Sequence, residues 1–128
     1  MAMTFEALRA LALGLPEVTE GLAYRTPALF VRKTVLARLR EDGETLAVKC
    51  DFPERELWLE TRPEAFFLTD HYLAHPMVVV RLAAAEPADM RALLRHGWRR
   101  IAPARLLRQA GDDGPAFADE LPAGPGAD

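Results

Sequence analysis

The sequence predicts a two-layer α+β domain, an antiparallel sheet with its helices on one face, in the order α-βββ-α-ββ-α. Three observations carry that prediction. Apolar residues recur at helical spacing in separate stretches, each opened by a capping residue or a proline. Between those stretches lie short runs rich in Val, Leu and Phe, alternating with polar residues or continuous, which is how strands read. Two of the runs flank Asp42-Gly43, a dipeptide that favours the tight turn between antiparallel strands.

Each element has its own justification. Thr4 can cap a first helix on which Phe5, Leu8, Leu11, Ala12 and Leu15 recur at helical spacing, and Gly14 and Pro16 end it. Residues 17–27 are broken by Gly21 and Pro27 and read as a turn with a short extended piece near Leu22–Tyr24. Residues 28–33 and 35–41 read as strands joined at Lys33-Thr34, and a third strand runs from Glu44 to Cys50 beyond the two-residue hairpin turn. Pro53 suits a first helical turn, where Glu54 and Glu56 complement the positive end of the helix dipole; this second helix stops near Arg62-Pro63. Residues 65–69 form a short strand, 70–76 a loop, and 77–82 (MVVVRL) a nearly continuous apolar strand, the mark of coverage on both faces. Pro87 begins the last long helix, with Met90, Leu93, Leu94, Trp98 and Ile101 as its core stripe, and Pro103 breaks it.

A chain of 128 residues is the size of one domain able to bury a genuine core. Its net charge of −3 averages two unlike regions. Residues 111–128 hold Asp112, Asp113, Asp119, Glu120 and Asp128 and no Lys or Arg, so this tail carries −5 and leaves +2 on the body. Four glycines and three prolines in the same stretch predict a disordered acidic tail after a single domain at 1–110. Fourteen of the sixteen cations are Arg, a bias that an Ala-, Leu- and Pro-rich chain owes to genome composition rather than to any ligand. Cys50 stands alone, which excludes an internal disulfide or a Cys-based zinc cluster and suits a small buried residue. No basic-then-apolar leader and no apolar run of about 20 residues is visible, so a cytoplasmic protein with no membrane partner is expected.

Side-chain chemistry narrows the choices. Serine is absent, and there is neither a phosphate-cradling glycine loop nor a dinucleotide fingerprint. His71 and His75 share a loop with Asp70 and Tyr72, but Pro76 disfavours a two-ligand turn and no third ligand is evident. Turn formation or hydrogen bonding is the stronger reading there, and neither a metal nor a cofactor is expected. Cys50 follows Lys49 and precedes the second helix, a weak setting for an activated thiol, and Glu41, Asp42 and Glu44 read as solvated acids at a hairpin tip. No catalytic residue is assigned.

The cations are the better lead. Strand alternation puts Arg38, Arg40 and Lys49 on one sheet face, exposed to solvent or a partner, with Arg32 and Arg81 beside them. A second set, Arg91, Arg95, Arg99, Arg100, Arg105 and Arg108, reads as a solvated surface favourably placed near a helix C-terminus.

The segments Leu13-Gly-Leu-Pro16-Glu-Val-Thr-Glu20, Tyr24-Arg-Thr-Pro27-Ala-Leu-Phe30, Glu41-Asp-Gly43 and Leu46-Ala-Val-Lys49-Cys50 resemble the MmcQ/YjbR family of small bacterial proteins. The likeness continues through Phe66-Phe67-Leu-Thr-Asp-His71-Tyr72 and Val80-Arg81-Leu82 to Gly97-Trp98-Arg-Arg100, covering residues 4–108. It implies a helix, three-strand, helix, two-strand, helix fold similar to that of type III secretion chaperones. It also implies the DNA-binding label often given to the family, in which two hairpin regions act as a double wing. No substrate or catalytic residue comes with it. Its motif positions fall on Tyr24, Pro27, Lys49, Phe67, His71, Tyr72 and Arg81, with Tyr72 where the family often has Trp.

The leading functional expectation is a non-enzymatic protein that binds duplex DNA, weakly and in a salt-dependent way, through a basic sheet face. Arg38, Arg40, Lys49, Arg81, His71 and Tyr72 would make the contact, and the acidic tail would compete for the same surface. One alternative is a protein-interaction or self-associating module that uses exposed sheet edges. Another is a small-anion binder or enzyme, which requires Lys49, His71, Tyr72 and Arg81 to converge in one pocket.

Overall fold

The computed structural model describes residues 3–112 and 114–120. Helix α1 (Phe5–Leu13) leads into four strands, β1 (Val18–Ala23), β2 (Thr26–Val31), β3 (Thr34–Leu39) and β4 (Thr45–Lys49). After α2 (Phe52–Thr61) come β5 (Phe66–Phe67), β6 (Met77–Arg81), α3 (Pro87–Ile101) and α4 (Ala104–Ala110). The strands form one antiparallel sheet in the order β1-β2-β3-β4-β6-β5. The α+β class and the helices on one sheet face are as the sequence predicts. No helix among the described residues is long and apolar enough to cross a membrane.

The structure adds one strand and a fourth helix to the predicted order. β1 was hidden because it is an edge strand exposed along most of its length, so it lacks alternation between buried and exposed residues. Its Gly21 is no breaker: the Phe30 ring of β2 lies against it, 3.1 Å from where a Cβ would stand. The β3–β4 connection is also longer than a two-residue turn. It runs from Arg40 to Glu44, with Gly43 at φ 71° and Asp42 accepting from the amides of Glu44 and Thr45, both at 2.9 Å.

The core lies between the sheet and the helices. Leu8 and Ala12 of α1, Met90, Leu93, Leu94 and Trp98 of α3, and Leu106 of α4 meet Leu29, Val31, Leu46, Val48, Val78 and Val80 of the sheet. Each fully buried leucine contributes on the order of 2 kcal/mol. Thr4 caps α1 through its side-chain oxygen, which accepts from the Ala7 amide at 3.0 Å. Trp98 is wholly buried, yet its indole N–H is satisfied by the Pro16 carbonyl at 2.9 Å. Where α3 crosses β4, Gly97 permits the approach: a Cβ there would stand 2.8 Å from the Lys49 carbonyl oxygen.

Between β2 and β3 the register slips. Leu29 faces Ala37 and Phe30 faces Val35, leaving Leu36 as an extra residue in β3. Leu36 and Ala37 therefore both join the helix-side core, and Arg38 turns to the opposite face, where it pairs with Ala47.

The predicted disorder of the tail is corrected for residues 114–120. Phe117 is 1% exposed and belongs to the core, with the guanidiniums of Arg91 and Arg95 over its ring at 5.0 and 4.8 Å. Asp119 pairs with Arg91 and Glu120 with Arg95. Composition averaged over the tail conceals a single aromatic anchor followed by two well-placed acids. Residues 113 and 121–128 lie outside the described residues.

Candidate functional site

On the face away from the helices, β3, β4, β6 and β5 bring Arg38, Ala47, Val79 and Phe67 into one row. Two residues along the strands, the same face carries the pair Lys49 and Met77 on one side and Thr45 and Arg81 on the other. Alternation thus placed Arg38, Lys49 and Arg81 correctly. The expected openness of the face needs correction. The turn at Asp70–Tyr72 folds over its centre, and Tyr72, 7% exposed, packs with Ala47, Met77, Val79 and Phe67.

Burial changes what the cations can do. Arg38 is 8% exposed, and its guanidinium donates to the Tyr72 hydroxyl at 3.1 Å, to Thr26 Oγ1 at 3.0 Å and to the Glu41 carboxylate at 3.2 Å. Burial works against that charge, but the bonds to Tyr72 and Glu41 outweigh it and hold the group above its ordinary pKa. Arg40 donates to Thr45 Oγ1 at 3.0 Å and stands 3.9 Å from Asp42. Arg32 lies in the β2–β3 turn at φ 56° and pairs with Glu17 at 3.5 Å, so it leaves the face. Arg81 stacks on Phe67 at 4.0 Å. It opposes Thr45, four residues from Lys49 along β4, which puts the two about 13 Å apart.

The predicted residues therefore divide. Lys49, His71 and Tyr72 meet Arg38 at a cleft of about 470 Å³, whereas Arg40 and Arg81 lie outside it. Tyr24, Lys33, Thr34 and His75 complete the polar part of its wall, and no Asp or Glu among the described residues lines it. Lys49 has its pKa pushed below the ordinary lysine value, first by burial and then by the nearby charge of Arg100. Such a wall concentrates positive potential and ammonium, guanidinium, phenol and imidazole groups in one place, the chemistry that receives an oxyanion.

Two features organise this cleft from behind. Arg55 of α2, 5% exposed, donates to the carbonyls of Tyr72, Leu73, His75 and Met77 at 2.8–3.2 Å and so clamps the loop that carries both histidines. The β1–β2 turn consists of Tyr24 and Arg25, with φ 54° and 69°. Both central residues are left-handed, a turn that favours Asn-Gly or Gly-Gly, and each non-glycine residue held so costs on the order of 1 kcal/mol.

The remaining candidates carry structural roles. The His71 and His75 rings are 5.6 Å apart, and no group of three His, Cys, Asp or Glu among the described residues is placed to hold a metal. His96 Nε2 accepts from the Asp51 amide at 3.1 Å, at the start of α2. Cys50 is fully buried, and burial pushes its thiol up to about 12. The second arginine set is largely engaged: besides Arg91 and Arg95, Arg100 pairs with Asp51, Arg105 with Glu17, and Arg99 donates to the Asp112 carbonyl. Sequence reasoning left Lys33, His75 and Arg55 out of the site. Arg55 had a signal, since it lies at helical spacing from Trp58 and Leu59 and so points inward with them.

The sequence profile of the YjbR family matches residues 13–100. No curated protein matches the chain. Among solved structures, the crystal structure of the Deinococcus radiodurans protein DR2400, which carries domain DUF419, is similar with a TM-score of 0.65. The identity is 20%, over 84% of this chain and 85% of that one, so the likeness is one of fold. A profile match over more than half of the sequence, joined to that shared architecture, means that the chain belongs to the YjbR family.

Proposed function

We propose that the protein binds a small oxyanion, of phosphate or carboxylate type, in the cleft between β3, β4 and the 70–77 loop. One observation carries this reading: a partly buried Lys49 in a wall that offers cations and donors and no acid. An ammonium held below its ordinary pKa by burial and a like charge is relieved when an anion arrives. The cleft falls within the size range of small-molecule sites.

Duplex DNA, the leading expectation from the sequence, is favoured less by this geometry. A duplex contact needs several free cations spaced along successive phosphates. Arg38, Arg40 and Arg32 are each engaged with a carboxylate, and Arg81 stands apart from Lys49.

The test is an amide-resolved NMR titration with inorganic phosphate and pyrophosphate, with a short duplex as a separate arm. Shifts confined to residues 33–35, 49 and 71–77, and lost in Lys49→Met, are the expected result. Absence of localised shifts with either phosphate would remove the proposal. Duplex binding of equal strength in wild type and Lys49→Met would move the function to another surface.

A further inference from the structure

The wall of the cleft contains an aromatic residue that anion capture alone does not explain. Tyr24 is 83% exposed although its ring lines the cleft, and it occupies a left-handed turn position that glycine or asparagine would fill with less strain. An exposed tyrosine on a relaxed hairpin is unremarkable. Here the strained turn instead presents the ring toward the Arg38 guanidinium, which lies over it at 5.2 Å. That guanidinium is itself fixed by Tyr72, Thr26 and Glu41, so the Tyr24–Arg38 pair is backed by a fixed group while most of the tyrosine surface stays open to solvent.

The cleft is also longer than a lone oxyanion needs. From Arg38 to Thr34, both in its wall, β3 runs roughly 13 Å. Tyr24 and Arg38 stand toward one end, and Lys33 and Thr34 stand at the other, with Lys49 lining the same cleft. Resting on the anion-binding reading above, we infer that the ligand has two parts, a planar ring that stacks on Tyr24 and a phosphate that meets the lysines. A nucleoside monophosphate has that construction. Stacking on an aromatic side chain is tolerant of ring identity, so the site discriminates ring from no ring more strongly than one base from another.

Calorimetric titration of the full chain with AMP, ribose 5-phosphate and adenosine separates the two parts. AMP is expected to bind about tenfold tighter than ribose 5-phosphate, the contribution of one stacked base. Tyr24→Gly removes the ring and suits the left-handed turn, so the fold is preserved; in that variant AMP should bind no tighter than ribose 5-phosphate. Tyr24→Phe should keep the advantage. Equal affinity for AMP and ribose 5-phosphate in wild type, or an advantage that survives Tyr24→Gly, would overturn the stacking role while leaving anion capture intact. If inorganic phosphate and both phosphate esters fail to bind, both readings fall together.

Discussion

Cations occur on both sides of the sheet, and one of them, Lys49, meets a different fate from the rest. On the helical side, Arg91 and Arg95 lie over Phe117 and pair with Asp119 and Glu120, so their charge is spent within the molecule. Across the sheet, Arg38 is also satisfied internally, but Lys49 is left in an acid-free wall. The difference teaches that arginine content is a poor guide to a binding surface. What distinguishes a site is an ammonium or guanidinium that burial has raised in energy and that no carboxylate has relieved.

That contrast can be broken most forcefully on the helical side. Phe117→Ala should cost about 3–5 kcal/mol in urea denaturation, as expected for a buried aromatic, while phosphate affinity measured below the transition stays at the wild-type value. An unchanged midpoint would mean that 114–120 adds nothing to the body.

Next in size is Arg55→Met, which strips four carbonyls of their shared donor. A loss of about 2–3 kcal/mol is expected, with faster amide exchange across 71–77 and weaker phosphate binding. Retained exchange protection in that loop would show that other contacts hold it.

Lys49→Met sharpens the comparison by separating stability from binding. Phosphate affinity should fall about tenfold, roughly 1.4 kcal/mol, while thermal stability holds or rises because a desolvated charge has gone. A fall in stability with affinity unchanged would reverse the assignment.

The smallest effects come from pH, and they lie at opposite ends of the scale. Asp119 and Glu120 have their pKa values lowered by hydrogen bonds to Arg91 and Arg95. Their stabilisation is present above the ordinary carboxylate pKa, near 4, and is lost as pH falls through the lowered values, where exchange protection of 114–120 should fade. Lys49 has its pKa depressed in the free protein by burial and by Arg100, and a bound anion favours its charged form. Phosphate affinity should therefore be full below the depressed value and decline as pH rises through it. If calorimetry in the alkaline range shows affinity independent of pH, Lys49 does not contact the ligand.

Much of the fold was legible because α1 and α3 bury one regular face, α2 opens on Pro53 beside acids, and β4 and β6, covered on both sides, read as apolar runs, so each left a signature in the sequence. β1 left none, being exposed along most of its length. The candidate site was half legible. Alternation set Arg38, Lys49 and Arg81 on one face, but the turn at Asp70–Tyr72 that covers it depends on Arg55 reaching across to four distant carbonyls, and no local pattern encodes that reach. Tail composition pointed to disorder because one Phe among Gly, Pro and Asp weighs little in an average and much in a core.

The extra residue at Leu36 has a consequence for the shape of the cleft. Val35 and Arg38 are three apart, and in an unbroken strand residues of odd separation point to opposite sides. Both line the cleft only because β3 changes phase between them. A strand trimmed of Leu36 would set Val35 and Arg38 two apart, on one face by simple alternation, and would lose only a core side chain. The irregularity thus lets β3 send two consecutive side chains, Leu36 and Ala37, into the core while the wall that runs from Tyr24 to Lys33 stays unbroken on the other side.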